Sequence, residues 1–354
     1  MVIKVLVVED SPVAREFLTY ILTSDPAIRV VGTANNGVEA LEIVRQKKPD
    51  VITMDIHMPM MDGFEATRKI METFPTPIVI VSGSSGGKEV DSTFRAIEAG
   101  ALAVVRRPPG INHEEFEAAS KELIQTVKLM SEVKVVKRIP HTVHARIVAQ
   151  PTISISLLRT AGIQAVAIGA STGGPPVLQE ILSELPQGFP VPVLIVQHIA
   201  QGFTEGFAEW ISNASGFPVR VASHGERLAP RHGYVAPDGF HLGLENGLRI
   251  ALSSLAPENG MRPSVSYLFR SIAQVLGPAA VGVMLTGMGR DGAEELKTLK
   301  EMGAITIAQD EESSVVHGMP GEAIKLGAAT YVLPPESIAA ALVSLTTNRN
   351  MRNI

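Results

Sequence analysis

The feature that most restricts the fold of this chain is an alternation between short apolar runs and longer amphipathic stretches. Uninterrupted apolar runs of roughly four to eight residues are typical of strands buried on both faces, which form parallel sheets covered by helices. In the amino-terminal part such runs occupy residues 5–8, 30–34, 51–54, 78–81 and 102–105. Helical stretches are predicted at residues 12–22, 37–45, 64–73, 90–99 and 114–130. These five βα units predict a doubly wound parallel sheet over residues 1–130.

A second series of the same kind begins after residues 131–162, which show no sustained periodicity and are predicted to be a linker. Its apolar runs occupy residues 165–169, 193–196, 233–236, 282–285, 304–308 and 331–333. Residues 241–243 and 248–251 flank an Asn-Gly pair, which favours a hairpin that decorates the sheet. The chain is therefore predicted to be an α/β protein with two doubly wound parallel-sheet domains, the second over residues 163–350.

Composition excludes several classes of function. A chain of 354 residues is longer than a single core usually supports. Without cysteine it has no disulfide framework, no thiolate zinc site and no cysteine nucleophile. A net charge of -5 without a basic face disfavours nucleic-acid binding. No apolar run approaches the roughly 18 residues of a membrane span. The start of the chain lacks a basic segment before an apolar run, so we expect no secretory signal and a cytoplasmic location.

Three carboxylates are predicted to meet at the carboxyl edge of the first sheet. Glu9 and Asp10 follow the first strand run, and Asp55 follows the third. This edge is where doubly wound sheets bind ligands. Clustered carboxylates repel each other unless a cation holds them, and hard oxygen ligands suit Mg2+. Taken singly, each of the three is more simply explained as a solvated acid at a strand end.

A longer motif makes the prediction for this block specific. Met58-Pro59 and Asp62-Gly63 follow Asp55, and Ser82 comes directly after the fourth strand run. With these residues the block resembles the response-regulator receiver domain, which has a flavodoxin-like fold. The resemblance implies that Asp55 is phosphorylated, that Ser82 contacts the phosphoryl group, and that Mg2+ is bound by Glu9, Asp10, Asp55 and the backbone carbonyl of His57.

Two positions depart from the usual receiver pattern. Arg107 stands where receivers usually carry a lysine, and Val104 stands where they carry a switch aromatic. A guanidinium is a planar fork of donors, whereas an ammonium is a compact point charge. Arg107 is therefore a candidate contact to the phosphoryl group, with a hydrogen-bonding geometry that differs from that of a lysine.

Three residues of the second block follow strand runs and could together form a nucleophilic group. Ser171 lies in a G-x-S-x-G pattern at a predicted strand-to-helix turn, which exposes a serine hydroxyl. His198 follows residues 193–196, and Asp291 lies in a glycine-rich loop after residues 282–285. At one sheet edge they would supply a nucleophile, a base and an orienting acid. Singly, a helix cap or phosphate cradle explains Ser171, a structural hydrogen bond explains His198, and a helix cap explains Asp291.

The order serine, histidine, aspartate differs from the order in the α/β-hydrolase fold. The block resembles instead the Rossmann-like catalytic domain of the CheB family of protein-glutamate methylesterases. The resemblance is carried by the segments at residues 167–174, 197–198, 203–204, 235–237, 262–265, 285–292, 308–311 and 318–320. It implies that Ser171 is the nucleophile, His198 the general base and acid, and Asp291 the orienting carboxylate. It further implies that the Met288 amide donates to the oxyanion, that Thr172 lines the cleft, and that the esterase site needs no cofactor.

The two resemblances together imply a phosphorylation-regulated esterase acting in chemotaxis. Its expected substrates are methylated glutamates on the cytoplasmic domains of chemoreceptors, with deamidation of receptor glutamines as a possible second activity. A chemotaxis-type histidine kinase is the expected phosphodonor, and a monomer is expected. Two alternatives stay open from the residues alone: a binding protein that cradles a nucleotide phosphate at residues 171–173, and a catalytically silent phosphate sink.

Overall fold

The computed structural model describes residues 2–83, 87–133, 135 and 162–347. The chain divides into two compact units, Met1–Arg146 and Ile147–Ile354. The linker predicted at residues 131–162 lies almost entirely outside the described residues, as do residues 348–350 of the predicted second domain. Within the described ranges, no helix has both the length and the apolar character that a membrane crossing requires.

The first unit is a five-stranded parallel sheet with the strand order β2-β1-β3-β4-β5. Its strands are β1 (Ile3–Val8), β2 (Ile28–Ala34), β3 (Val51–Met54), β4 (Ile78–Ser82) and β5 (Ala103–Arg106). Its helices are α1 (Pro12–Thr23), α2 (Gly37–Lys47), α3 (Gly63–Thr73), α4 (Gly87–Glu98) and α5 (Phe116–Met130). This strand order is that of the flavodoxin-like doubly wound fold, so the predicted fold is confirmed. The predicted bounds differ from these by a few residues at most.

The second unit contains a seven-stranded parallel sheet with the order β14-β13-β12-β6-β7-β9-β8. Its strands are β6 (Ala165–Ala170), β7 (Val193–Gln197), β8 (Val219–Val221), β9 (Gly233–Val235), β12 (Ala280–Met284), β13 (Ile305–Gln309) and β14 (Tyr331–Leu333). Its helices are α6 (Gly174–Ser183), α7 (Thr204–Ser215), α8 (Val265–Leu276), α9 (Ala293–Glu301), α10 (Met319–Lys325) and α11 (Pro335–Thr347). All six predicted strand runs are present, and the doubly wound α/β class is confirmed.

Two features of the second unit differ from the prediction. Strand β8 at the sheet edge was not predicted, because it has only three residues and its central Arg220 is exposed. The hairpin is formed by β10 (His241–Glu245) and β11 (Arg249–Ser253), but these strands make a separate two-stranded antiparallel sheet. The predicted hairpin is therefore confirmed, and it forms a small sheet of its own that does not extend the parallel sheet.

The central strand β6 is buried along its whole length and leaves room for a helix to pack closely on it. A Cβ atom at Gly169 would lie 2.3 Å from Cγ1 of Val265, the first residue of α8. The missing side chain at Gly169 therefore lets the start of α8 lie directly against β6. This contact fixes the amino end of α8 close to the carboxyl edge of the sheet.

Candidate active site and candidate metal site

The first unit brings the three predicted carboxylates together. Glu9 follows β1 and Asp55 follows β3, and these two strands are neighbours in the sheet. One oxygen from each of Glu9, Asp10 and Asp55 lies within 4.8 Å of the others. Glu9 and Asp55 are buried and Asp10 is exposed. Three clustered carboxylates form a hard-oxygen donor set that fits Mg2+ and leaves positions for water.

Arg107 reaches into the same cluster. Its Nη2 donates to Glu9 Oε2 at 2.6 Å and to Asp55 Oδ1 at 3.3 Å. Its backbone amide donates to the carbonyl of Ser82 at 2.7 Å, which ties the residue to the end of β4. The guanidinium therefore supplies positive charge to two of the candidate metal ligands.

Burial and mutual repulsion disfavour ionisation in this cluster. Desolvation first, and then the charge of Asp55, raise the pKa of Glu9 to about 7, against the opposing influence of Arg107. Desolvation also raises the pKa of Asp55, with Arg107 again opposing the shift. A cation at this site would reverse the balance, because it favours the ionised form of each ligand.

Asp62 and Gly63 together determine where α3 begins. The Asp62 side chain caps α3 by accepting from the backbone N–H of Glu65 at 2.8 Å. A Cβ atom at Gly63 would lie 2.1 Å from the backbone oxygen of Asp55, so only glycine lets α3 start so close to the predicted phosphoacceptor. Within the motif, these two residues place the helix against Asp55.

The remaining predicted receiver residues lie at the same edge. Ser82 is the buried last residue of β4, and His57 is an exposed residue two positions after Asp55. Val104 is half-buried on β5. Their roles towards phosphate and metal stay predictions, since these roles concern groups bound from solution.

The second unit brings Ser171, His198 and Asp291 to one sheet edge. Ser171 and His198 follow the paired residues Ala170 and Gln197 at the ends of the neighbouring strands β6 and β7. The backbone N–H of His198 donates to the carbonyl of Ala170 at 2.9 Å. Asp291 arrives from the other side of β6, in the loop after β12, and its Oδ2 lies 3.0 Å from His198 Nε2.

The hydrogen bond between His198 and Asp291 distinguishes the two ring nitrogens of His198. Asp291 is ionised and acts only as an acceptor, so His198 Nε2 carries the hydrogen of the bond between them. In the neutral ring, Nδ1 then holds the free electron pair. Nδ1 is buried and has no hydrogen-bond partner among the described residues. Its free electron pair suits a general base, and it makes no hydrogen bond to the Ser171 hydroxyl in this structure.

Asp291 is held by the start of α8 as well as by His198. Its two carboxylate oxygens accept hydrogen bonds from the Ser264 hydroxyl at 2.8 Å and from the backbone N–H groups of Val265 at 2.7 Å and Ser266 at 3.2 Å. The side-chain amide of Asn259 donates to Oδ1 at 3.2 Å. The carboxylate thus occupies the positive end of a helix.

This environment keeps Asp291 ionised. Desolvation opposes ionisation, but the hydrogen bond and charge of His198, with the amide of Val265 and the contact to Ser266, outweigh it and hold the pKa of Asp291 well below its usual range. The sequence alone favours a cap of α9 for Asp291. The N-cap of α9 is Gly292, without a side-chain hydrogen bond, and the acid faces α8 instead.

The backbone around Ser171 leaves two amides for an oxyanion. The N–H of Ser171 donates to the carbonyl of Thr286 at 3.0 Å, and so is already used. The N–H groups of Thr172 and Met288 donate to no backbone carbonyl in the described part of the chain. A Cβ atom at Gly287 would lie 2.7 Å from Ser171 Cβ, so glycine lets the loop with Met288 approach the serine. Met288 and Thr172 are therefore both placed beside Ser171.

Sequence reasoning missed the residues that support Asp291. Ser264 caps α8 by accepting from the backbone N–H of Tyr267 at 3.4 Å. A serine before a long apolar helical stretch is a recognisable N-cap signal, so the start of α8 could have been predicted. The contact between the start of α8 and Asp291 could not have been predicted, because no local pattern relates residues so far apart in sequence.

Two family models match the chain. The model described as CheB methylesterase matches residues 166–342, and the model described as response regulator receiver domain matches residues 5–117. The first match contains the whole of the candidate active site. The second contains the acidic cluster with Arg107.

Close relatives match the chain over nearly its full length. The protein-glutamate methylesterase/protein-glutamine glutaminase of Nitrosospira multiformis is 59% identical over 347 residues, covering 98% of each chain. A protein of the same description from Geobacter metallireducens is 56% identical, covering 98% of this chain and 100% of the relative. The crystal structure of the Thermotoga maritima CheB methylesterase catalytic domain matches with a TM-score of 0.50 and 38% identity, covering 52% of this chain and all of that chain.

Proposed function

The chain belongs to the CheB methylesterase family and carries a response-regulator receiver domain, and from this premise we propose that Ser171, His198 and Asp291 hydrolyse glutamate methyl esters on chemoreceptors. Relatives that cover nearly the whole chain are named for this activity and for glutamine deamidation. The observation that carries the proposal is the 3.0 Å bond between His198 and Asp291 beside the strand end that bears Ser171.

In the first half of the reaction the Ser171 hydroxyl attacks the ester carbonyl carbon. His198 Nδ1 takes the hydroxyl proton, and Asp291 stabilises the resulting imidazolium through Nε2. The carbonyl oxygen becomes an oxyanion that accepts from the amides of Met288 and Thr172. Collapse of the tetrahedral intermediate breaks the bond to the methoxy group, which leaves as methanol with the proton from His198. A glutamyl ester of Ser171 remains.

In the second half a water molecule attacks the glutamyl ester of Ser171. His198 takes one proton from the water and returns it to Ser171 Oγ as the acyl bond breaks. The receptor leaves with a free glutamate carboxylate. With a glutamine side chain the same steps release ammonia, because only the leaving group differs.

In the receiver, we propose that Asp55 accepts a phosphoryl group from a chemotaxis-type histidine kinase. Glu9, Asp10, Asp55 and the carbonyl of His57 would hold Mg2+, which neutralises charge on the phosphoryl oxygens when bound. Arg107 and Ser82 would contact the phosphoryl group. The cytoplasmic domains of chemoreceptors are the proposed substrates, and this places the proposed reaction in the cytoplasm.

The experiment that tests this function measures methanol released from a methylated chemoreceptor cytoplasmic fragment. Wild-type protein should release methanol in proportion to the glutamates it frees, and Ser171→Ala should release almost none. Methanol release by Ser171→Ala at the wild-type rate would remove serine catalysis from the account and favour a phosphate-cradling role for residues 171–173.

A further inference from the structure

We propose that Gln197 is a positioning residue of the esterase site, whose side-chain amide holds the backbone at Ser171 and the backbone at His198 in a fixed relation. The proposal rests on the proposed function of those two residues. It assigns a role to a side chain that takes no part in the reaction steps themselves.

The side-chain amide of Gln197 joins the ends of two neighbouring strands. Gln197 Nε2 donates to the backbone oxygen of Ser171 at 2.8 Å and to that of His198 at 2.9 Å. Both hydrogens of the amide are used in this way. Ser171 follows β6 and His198 follows β7, so one rigid planar group joins the two strand ends. Gln197 itself is only 4% exposed, so water does not compete for these bonds.

Only the NH2 group of the Gln197 amide makes hydrogen bonds among the described residues. The reverse orientation would direct the amide oxygen at two carbonyl oxygens, so the hydrogen-bond network fixes which end is Nε2. Oε1 is buried without a hydrogen-bond partner among the described residues, which lowers stability. A buried amide with one unsatisfied end is a poor choice for stability alone. We therefore explain the amide by its two bonds to the backbone of the proposed nucleophile and the proposed base.

Gly174 makes the space for this amide. A Cβ atom at Gly174 would lie 2.2 Å from Gln197 Oε1 and 2.9 Å from Ala170 Cβ. Gly174 is the first residue of α6, and its φ lies outside the positive range that favours glycine, so the backbone itself allows alanine. The substitution Gly174→Ala would therefore displace the Gln197 amide, with a further close contact to Ala170, while removing no hydrogen-bonding group.

Precise placement matters because Ser171 and His198 must exchange a proton as the carbonyl is attacked. A misplacement of about 1 Å can lower the rate of such a step on the order of 100-fold. The two strand ends are also joined by the bond from His198 N–H to Ala170 O, which lies one residue before the nucleophile. Without Gln197, the Ser171 and His198 carbonyls lose their shared donor.

The test measures the rate at which a serine-directed fluorophosphonate labels Ser171 in the full chain, together with kcat and KM for methanol release. The variants are Gln197→Met, which keeps length and volume without polar atoms, and Gly174→Ala. The matched control is Thr306→Val, which removes a buried hydroxyl that donates to the carbonyl of Ala328 and accepts from the backbone N–H of Thr330. Thr306 contacts neither Ser171 nor His198 in the described contacts.

We expect Gln197→Met and Gly174→Ala to slow labelling and to lower kcat on the order of 100-fold, with little change in KM. Thr306→Val should lower the melting temperature but label at the wild-type rate. Wild-type labelling rates in folded Gln197→Met and Gly174→Ala would overturn the positioning role while leaving the proposed function intact. Wild-type protein that neither is labelled at Ser171 nor releases methanol would instead overturn the proposed function, and this inference with it.

Discussion

Arg107 stands where receivers usually carry lysine, and its contacts show what a guanidinium does there. A single nitrogen, Nη2, lies within reach of both Glu9 and Asp55. The side chain is 27% exposed, so it is partly solvated while the carboxylates are buried. Positive charge is thus supplied to the cluster by the chain itself. The opposing influence of Arg107 does not prevent burial from raising the pKa of Glu9 to about 7.

The raised pKa of Glu9 predicts a pH dependence of receiver stability in the absence of divalent metal. Between the ordinary value of 4.5 and about 7, folded Glu9 keeps a proton that the unfolded chain has released. Stability falls with pH wherever the folded state binds more protons than the unfolded state. The free energy of unfolding of the receiver in EDTA should therefore decrease as pH rises across this interval.

Urea unfolding at several pH values checks this, with Glu9→Gln as the control that removes the titrating group. The variant should show a weaker decrease, and Mg2+ should weaken the decrease in wild-type protein because it favours ionised ligands. A decrease of equal size in wild type and Glu9→Gln would contradict the account of Glu9.

At the scale of elements, α8 supports the candidate triad by its amino end. Gly169 lets Val265 pack on β6, and this brings the first amides of α8 to Asp291. Ser264 has two tasks: it accepts from the N–H of Tyr267 as the helix cap, and its hydroxyl donates to Asp291 Oδ1. One residue thus links the start of a helix to the orientation of the carboxylate of the candidate triad.

Ser264→Ala should therefore lower both stability and turnover. Loss of a serine N-cap costs about 0.5–2 kcal/mol of unfolding free energy. Turnover should also fall, because Asp291 loses one of its donors. The matched control is Ser11→Ala, since Ser11 caps α1 with the same 3.4 Å contact, to the N–H of Ala14, and is far from Asp291 in sequence. Denaturant unfolding and methanol release are compared for both. Equal effects of both variants on turnover would refute the link through Ser264.

The central strands of both sheets could be predicted because burial on both faces leaves a continuous apolar run. The three candidate triad residues could be found because each follows such a run. The edge strand β8 lacks that signal, since exposed Arg220 interrupts it. The pairing of Arg107 with Glu9 and the cradle of Asp291 join segments distant in sequence, and no periodicity within either segment specifies such a contact. The hairpin was predicted, but that it forms a sheet of its own could not be, for the same reason.

The two candidate sites lie in different units of the chain. The acidic cluster belongs to the first unit, and all residues of the candidate triad with their supporting contacts belong to the second. The crystal structure of the Thermotoga maritima CheB methylesterase catalytic domain is similar to the second unit, and all of that domain is covered by the match. A fragment of residues 163–354 should therefore fold and hydrolyse the ester without the receiver.

Phosphorylation should act only when both units are present. A phosphoryl group adds about two negative charges at Asp55 and can bias an existing equilibrium between less and more active forms. With acetyl phosphate and Mg2+, methanol release by the full chain should rise about 5- to 150-fold, the range of typical coupling free energies. The fragment of residues 163–354 and the full-length Asp55→Asn variant should not respond. A response of the fragment would show that the phosphodonor acts outside the receiver.

If Ser171 and His198 work as one nucleophilic unit, kcat/KM of the Ser171→Ala, His198→Ala double variant on a methylated receptor fragment will show it. Each single substitution should lower kcat/KM by at least about a thousandfold, and the double variant should be no slower than the slower single variant, because either change already disables the unit. Losses that multiply in the double variant would mean that the two residues act independently, and this would contradict the account.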